Sequence, residues 1–137
     1  MTKNQYRTLI IVSLGIGLLS GVYDYIWSDP ITDQVFDYII EIEPEIEGTE
    51  LVVAGSLAVV AIIMALVSVI GLLLFKSWAR HVYAAGFVAA FTLYPFMGIT
   101  VYGGFSQVLY EISMVLSGVL LALMYYSPVA RYYEQKI

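Results

Sequence analysis

The sequence predicts an all-α membrane protein. Its expected form is a four-helix antiparallel transmembrane bundle with a short external amphipathic helix. Three observations carry this. Leu51 to Phe75 (LVVAGSLAVVAIIMALVSVIGLLLF) holds 25 residues with no charge, amide, proline or histidine. A bilayer core of about 30 Å needs about 20 apolar helical residues, and a soluble surface helix would keep a polar face. Second, only 12% of the 137 residues are charged, against about 25% in ordinary soluble domains. Third, with four spans, all six Lys and Arg fall on one side of the membrane.

The elements follow in order, within one transmembrane domain over 1–137. The first span is about 8–27, TLIIVSLGIGLLSGVYDYIW. A signal peptide is the competing reading of a basic start followed by an apolar run. The run continues into aromatics, and Leu19 ahead of Gly21 is a poor small-x-small cleavage site. An external acidic loop follows over 28–50. Asp29-Pro30 starts a helix there, Asp29 as N-cap and Pro30 at the first helical position. Ile31, Val35, Ile39 and Ile40 share one face, and Asp33, Asp37 and Glu41 another. The expected helix runs from about Pro30 to Ile40 and rests Ile31, Val35 and Ile39 on the outer ends of the spans. Pro44 ends it, and Gly48 bends the chain into the second span at 51–75. Lys76 to Arg80 (KSWAR) is read as a basic turn, 81–101 as the third span, 106–126 as the fourth and 127–137 as a polar tail.

Orientation comes from the charges. Lys3, Arg7, Lys76, Arg80, Arg131 and Lys136 lie together, so the positive-inside rule places both termini and the KSWAR turn in the cytoplasm. Nine of the eleven acids lie between Asp24 and Glu50, on the outside. Aromatics at both boundaries read as interfacial belts, with Trp78 and Arg80 as inner anchors. Small residues recur at four-residue spacing: Ser13, Gly17 and Gly21; Ala54 and Ala58; Ala61 and Ala65; Ala85 and Ala89; Ser113 and Ser117. Such stripes let helices approach closely in lipid, inside the bundle or in a homo-oligomer.

The candidate chemistry is sparse. Asp24 and Glu111 are carboxylates at membrane depth, where charge is costly. One reading is a proton or cation relay, or a polar ligand site. The other is a structural carboxyl bonded to nearby Tyr, Ser or Gln. Glu111 is expected to face the bundle interior in its neutral form, with Gln107 one turn outward lining a wet funnel that Asp24 shares. The acidic face of Asp33, Asp37, Glu41, Glu43, Glu45 and Glu47 reads as a solvated loop, a surface for a cationic protein partner, or a divalent-cation site. The last lacks the calcium-loop pattern. There is no cysteine and one histidine, His81, which reads as interfacial. No nucleotide loop, GxSxG elbow or HExxH motif occurs. No enzyme activity, cofactor, metal or nucleic-acid partner is expected.

Phe75, Lys76, Trp78, Ala79, Arg80 and Tyr83, with Tyr126, Ser127 and Pro128, form an F-K-x-W-A-R turn after the second span and a Y-x-S-P element after the last. This pairing resembles a loose group of small bacterial four-span inner-membrane proteins. The resemblance covers about a fifth of the chain; it implies topology and a bacterial inner membrane, and no activity. The small multidrug transporters are a fold-level alternative, but their membrane glutamate is in the first span, where this chain has only Asp24, near the surface. The functional expectation is a non-enzymatic accessory or interaction protein, an immunity protein against an exported toxin being one instance. The alternative is a small oligomeric transporter or channel using Glu111.

Overall fold

The structure, a computed structural model, describes residues 1–27, 29–42, 48–96 and 98–134. Every regular element among them is helical: α1 Lys3–Ile26, α2 Pro30–Ile42, α3 Gly48–Leu73, α4 Ser77–Phe91, a 3-10 turn Tyr94–Phe96, α5 Gly104–Tyr126 and α6 Ala130–Glu134. Three of these, α1, α3 and α5, are long and apolar enough to cross a membrane.

α1 begins five residues before the expected span. The cause is local: the Gln5 N–H donates to the Thr2 hydroxyl, and the Thr2 N–H donates back to Gln5 Oε1 at 2.8 Å. This T-x-x-Q capping box satisfies two otherwise orphaned donors.

α3 ends in a Schellman turn. The Lys76 N–H donates to Gly71 O at 2.9 Å, and the Phe75 N–H to Leu72 O at 3.1 Å. The motif puts its pivot residue in the left-handed region, usually as glycine. Here it is Phe75, with φ 54°. The turn is tight enough for α4 to begin at Ser77, so most of the expected KSWAR turn is helix. Gly71 makes the close approach possible, since a Cβ there would meet Ala79 Cβ at 2.6 Å.

The expected third span, 81–101, is shorter than its sequence. α4 stops at Phe91, 15 residues long, or ~22 Å. Pro95 lacks an N–H and disfavours helical conformation just before it. The chain tightens into the 3-10 turn, reverses at Gly98, φ 62°, and runs irregularly to Gly103.

The tail is also corrected. The Ser127 hydroxyl donates to Leu123 O at 2.7 Å and accepts the Val129 N–H at 3.1 Å. This pivot, with Pro128, folds α6 back onto the bundle, and Val129 and Tyr133 become core residues.

α1 packs along α5 and α3 along α4. Close α1–α5 contact rests on Gly17, where a Cβ would lie 2.9 Å from Ser113 Oγ. The two pairs join at the basic end, in one cluster of Tyr6, Ile10, Leu72, Ala79, Leu120, Met124, Val129 and Tyr133. Between α3, α4 and α5 the stripe residues Ala58, Ala61 and Ala65, with Gly86 and Ala90, line an apolar cleft of about 480 Å³.

Candidate functional site

At the acidic end, Asp24 organises the structure. It stands in the last turn of α1 and reaches across to the start of α5. The Gly103 N–H donates to its Oδ2 at 3.0 Å, and the Ser106 hydroxyl to its Oδ1 at 2.6 Å. Gly103 is the N-cap of α5 and has no side chain to cap with. Asp24 therefore supplies the cap from another helix, placing a carboxylate at the positive end of the α5 dipole. Gly103 has to be small, because a Cβ there would lie 2.8 Å from Asp24 Oδ1. This is the structural use of the carboxyl weighed from sequence, with serine as partner.

Glu111 is placed differently from expectation. It is exposed on α5, and its bond is to Gln107 Nε2 on the same helix at 3.0 Å. The inward face of α5 is taken by Ser106, Leu120 and Met124, with Ser113 against Gly17. Glu111 projects away from that line, so Glu111 and Gln107 do not share a funnel with Asp24. Nearby, the Tyr94 and Tyr110 hydroxyls are hydrogen-bonded and Tyr102 stacks on Tyr110 at 5.8 Å.

α2 forms as expected and runs two residues further than the expected end. Its contact face differs. Ile39 is 9% exposed, but Ile31 is 70% exposed and Val35 is exposed too. The face toward the bundle carries Thr32, Asp33, Phe36, Ile39 and Ile40, which line a cleft of about 500 Å³ with Ser20, Gly21, Asp24 and Tyr25 of α1 and the 99–102 segment. At 100° per residue, the apolar arc of α2 is wide; the bundle-facing residues centre on Phe36, and the Ile31 side of the arc is left exposed. Asp33, Asp37 and Glu41 are exposed. Glu43, Glu45 and Glu47 lie outside the described residues. Among the described residues, no group of three His, Cys, Asp or Glu is placed to hold a metal.

The basic end is built in the opposite way. Phe75 lies in a ring cluster with Tyr6 at 6.1 Å, Tyr132 at 5.6 Å and Tyr133 at 5.5 Å. Lys3 stands 5.5 Å and Arg7 5.2 Å from the Phe75 ring centre, attracted to its π face. Arg7 Nε also donates to Leu73 O at 3.1 Å, closing an orphan carbonyl at the end of α3. Burial pushes the Tyr133 hydroxyl up to about 12, with neighbouring Tyr6 and then Arg80 pulling it down. It is therefore protonated at neutral pH and donates to Leu72 O at 3.4 Å.

Of the two anchors, Trp78 is half-exposed and packs its ring edge on Gly71. Arg80 lies 5.5 Å from the Tyr125 ring centre and 3.9 Å from Glu134. Tyr126 is 91% exposed, whereas Tyr133, 2% exposed, is folded into the core by α6 and is no belt residue. The sequence reading missed the Tyr6–Phe75–Tyr133 cluster. Its available signal was the T-x-x-Q box, which carries Tyr6 and Arg7 into α1.

No protein-family model, no curated protein and no solved structure matches the chain.

Proposed function

We propose that this chain is a non-enzymatic accessory or interaction protein of a bacterial inner membrane. It crosses four times, with both termini and the basic end in the cytoplasm, and presents α2 to a cationic protein partner outside. Beside α1, α3 and α5, the remaining crossing is α4 continued through the 3-10 turn at Tyr94–Phe96. One observation carries the functional reading. Asp33, Asp37 and Glu41 stand exposed on α2 without a cation beside them among the described residues, whereas Lys3, Arg7 and Arg80 at the other end are folded onto rings of their own chain. An uncompensated acidic surface steers basic partners.

The transporter alternative needs a carboxyl lining a path through the bundle. Glu111 on the outward face of α5 lines none. That placement favours self-association instead. Val108, Glu111, Val115, Gly118 and Ala122 are all exposed and follow a 3-4-3-4 spacing along α5. Gly118 has open space at its Cβ position. A second copy of α5 would cover Glu111 with protein, which can hydrogen-bond it as lipid cannot.

The partner reading is tested with Asp33→Asn/Asp37→Asn/Glu41→Gln in full-length chain purified in detergent. A basic protein retained by wild type, released by salt and lost in the triple variant is the expected result. Equal retention by the variant, or release of nothing by salt, overturns it. Orientation is tested with single cysteines at Ser77 and Asp37 and an impermeant reagent on intact cells; the reading requires labelling at position 37 and none at 77.

A further inference from the structure

The cleft beneath α2 shares Asp33 with the acidic face and adds Asp24, Phe36 and Tyr102, which that face does not carry. Its volume of about 500 Å³ falls in the range of small-molecule sites, about 300–1,000 Å³. Gly21 of α1 lines it beside open space: a Cβ there would meet nothing within 4 Å. The lining also includes Phe36 of α2, Tyr102 of the irregular segment and two carboxylates, Asp24 and Asp33.

The carboxylates differ in a useful way. Asp24 is fixed by the Gly103 N–H and the Ser106 hydroxyl. A carboxylate has about four lone-pair sites, so it keeps acceptor capacity after both bonds. The Asp33 carboxylate carries no hydrogen bond or ion pair within the described residues. Among the described residues, no Lys, Arg or His lines the cleft. Two negative charges without a counter-ion, beside aromatic faces, attract a cation that has an apolar body. A bare hard cation is disfavoured, because it demands six or more oxygen ligands.

We propose that this cleft binds a small amphipathic organic cation, of the aryl- or alkylammonium class. The ammonium is held by Asp33 and the fixed charge of Asp24, and the body lies against Phe36 and Tyr102. The site does not depend on α2 having a protein partner. It sits at the acidic end, apart from Glu111.

The test is isothermal titration of the full chain in a non-ionic detergent, with 2-phenylethylammonium as probe and 3-phenylpropan-1-ol as its neutral counterpart. The expected result is saturable single-site binding of the ammonium, with the alcohol at least about tenfold weaker. Asp33→Asn, at an exposed position, weakens the ammonium by about fivefold, the scale of one partly exposed ion pair. Gly21→Leu, built into open space, abolishes binding while circular dichroism reports unchanged helix. Equal binding of the alcohol would mean partition into apolar surface and overturns the proposal. So does wild-type affinity in both variants, or no saturable heat with the ammonium.

Discussion

The two ends of this bundle handle polar chemistry in opposite ways. At the basic end, three cations lie on the chain's own rings: Lys3 and Arg7 over Phe75, Arg7 also closing a carbonyl of α3, and Arg80 beside Tyr125 and Glu134. At the acidic end Asp24 is used in this manner, and among the described residues of α2 the carboxylates of Asp33, Asp37 and Glu41 are exposed. The difference follows from side-chain reach. Lys and Arg have long apolar stems that cover rings while the charge stays hydrated. Asp is short, and can act at a distance only where a backbone comes to it, as at Gly103. The basic end therefore closes on itself and fixes the fold. The acidic end remains open, with a cleft and an unpartnered helix face, and is the end at which recognition is to be sought.

The comparison breaks most directly at Tyr133. This ring joins α6 to α1 and to the α3–α4 turn. Tyr133→Ala should destabilise by about 3 to 5 kcal/mol, the range for emptying a buried aromatic site. Denaturation in detergent measures it, with Tyr126→Ala as the exposed control expected to change little. A loss below about 1 kcal/mol would mean that the basic end is not the principal junction of the two helix pairs.

At the other end the expected loss is smaller and local. Asp24→Ala removes the cap of α5 and leaves the Gly103 N–H without its acceptor, at about 1 to 2 kcal/mol. Amide exchange should quicken over 98–106 and in α2, with Leu72 and Met124 protected as before. Asp24→Asn keeps one acceptor oxygen and should fall between wild type and alanine. If exchange quickened equally at both ends, the ends would be one cooperative unit and the contrast between them would fail.

Much of this architecture was legible because it depends on local pattern. The apolar run at Leu51 marks α3 by length alone, and Asp29-Pro30 marks the start of α2 by backbone chemistry. The gathering of Lys and Arg foretold one basic end. What escaped depends on residues distant in sequence. Asp24 meets its partners 79 and 82 positions away, and nothing near it names them. Glu111 lies about 140° round α5 from Ser106, and which side of an apolar span turns inward is not encoded in its composition. The inward half of α2 was misjudged for the same reason: its apolar arc is wide enough to dock in two orientations, and Ile31 belongs to the half left exposed. The expected polar tail proved part of the core because Ser127 and Pro128 make a pivot, where a polar composition alone reads as solvated.

The finest contrast concerns Phe75, where one residue serves both backbone and ring packing. Its φ of 54° is a conformation that costs an L-residue about 1 to 2 kcal/mol and glycine little. Evidence that the ring is needed there comes from its neighbours: two cations and three tyrosines converge on it. Phe75→Ala loses those contacts and keeps the backbone strain. Phe75→Gly loses the same contacts and releases the strain, partly offset by the greater freedom of glycine in the unfolded chain. Both should be less stable than wild type, with glycine the better of the two by up to about 1 kcal/mol. Paired denaturation curves measure the difference. If alanine equalled or exceeded glycine, the left-handed turn would relax on losing the ring, and the ring cluster would be what imposes the turn.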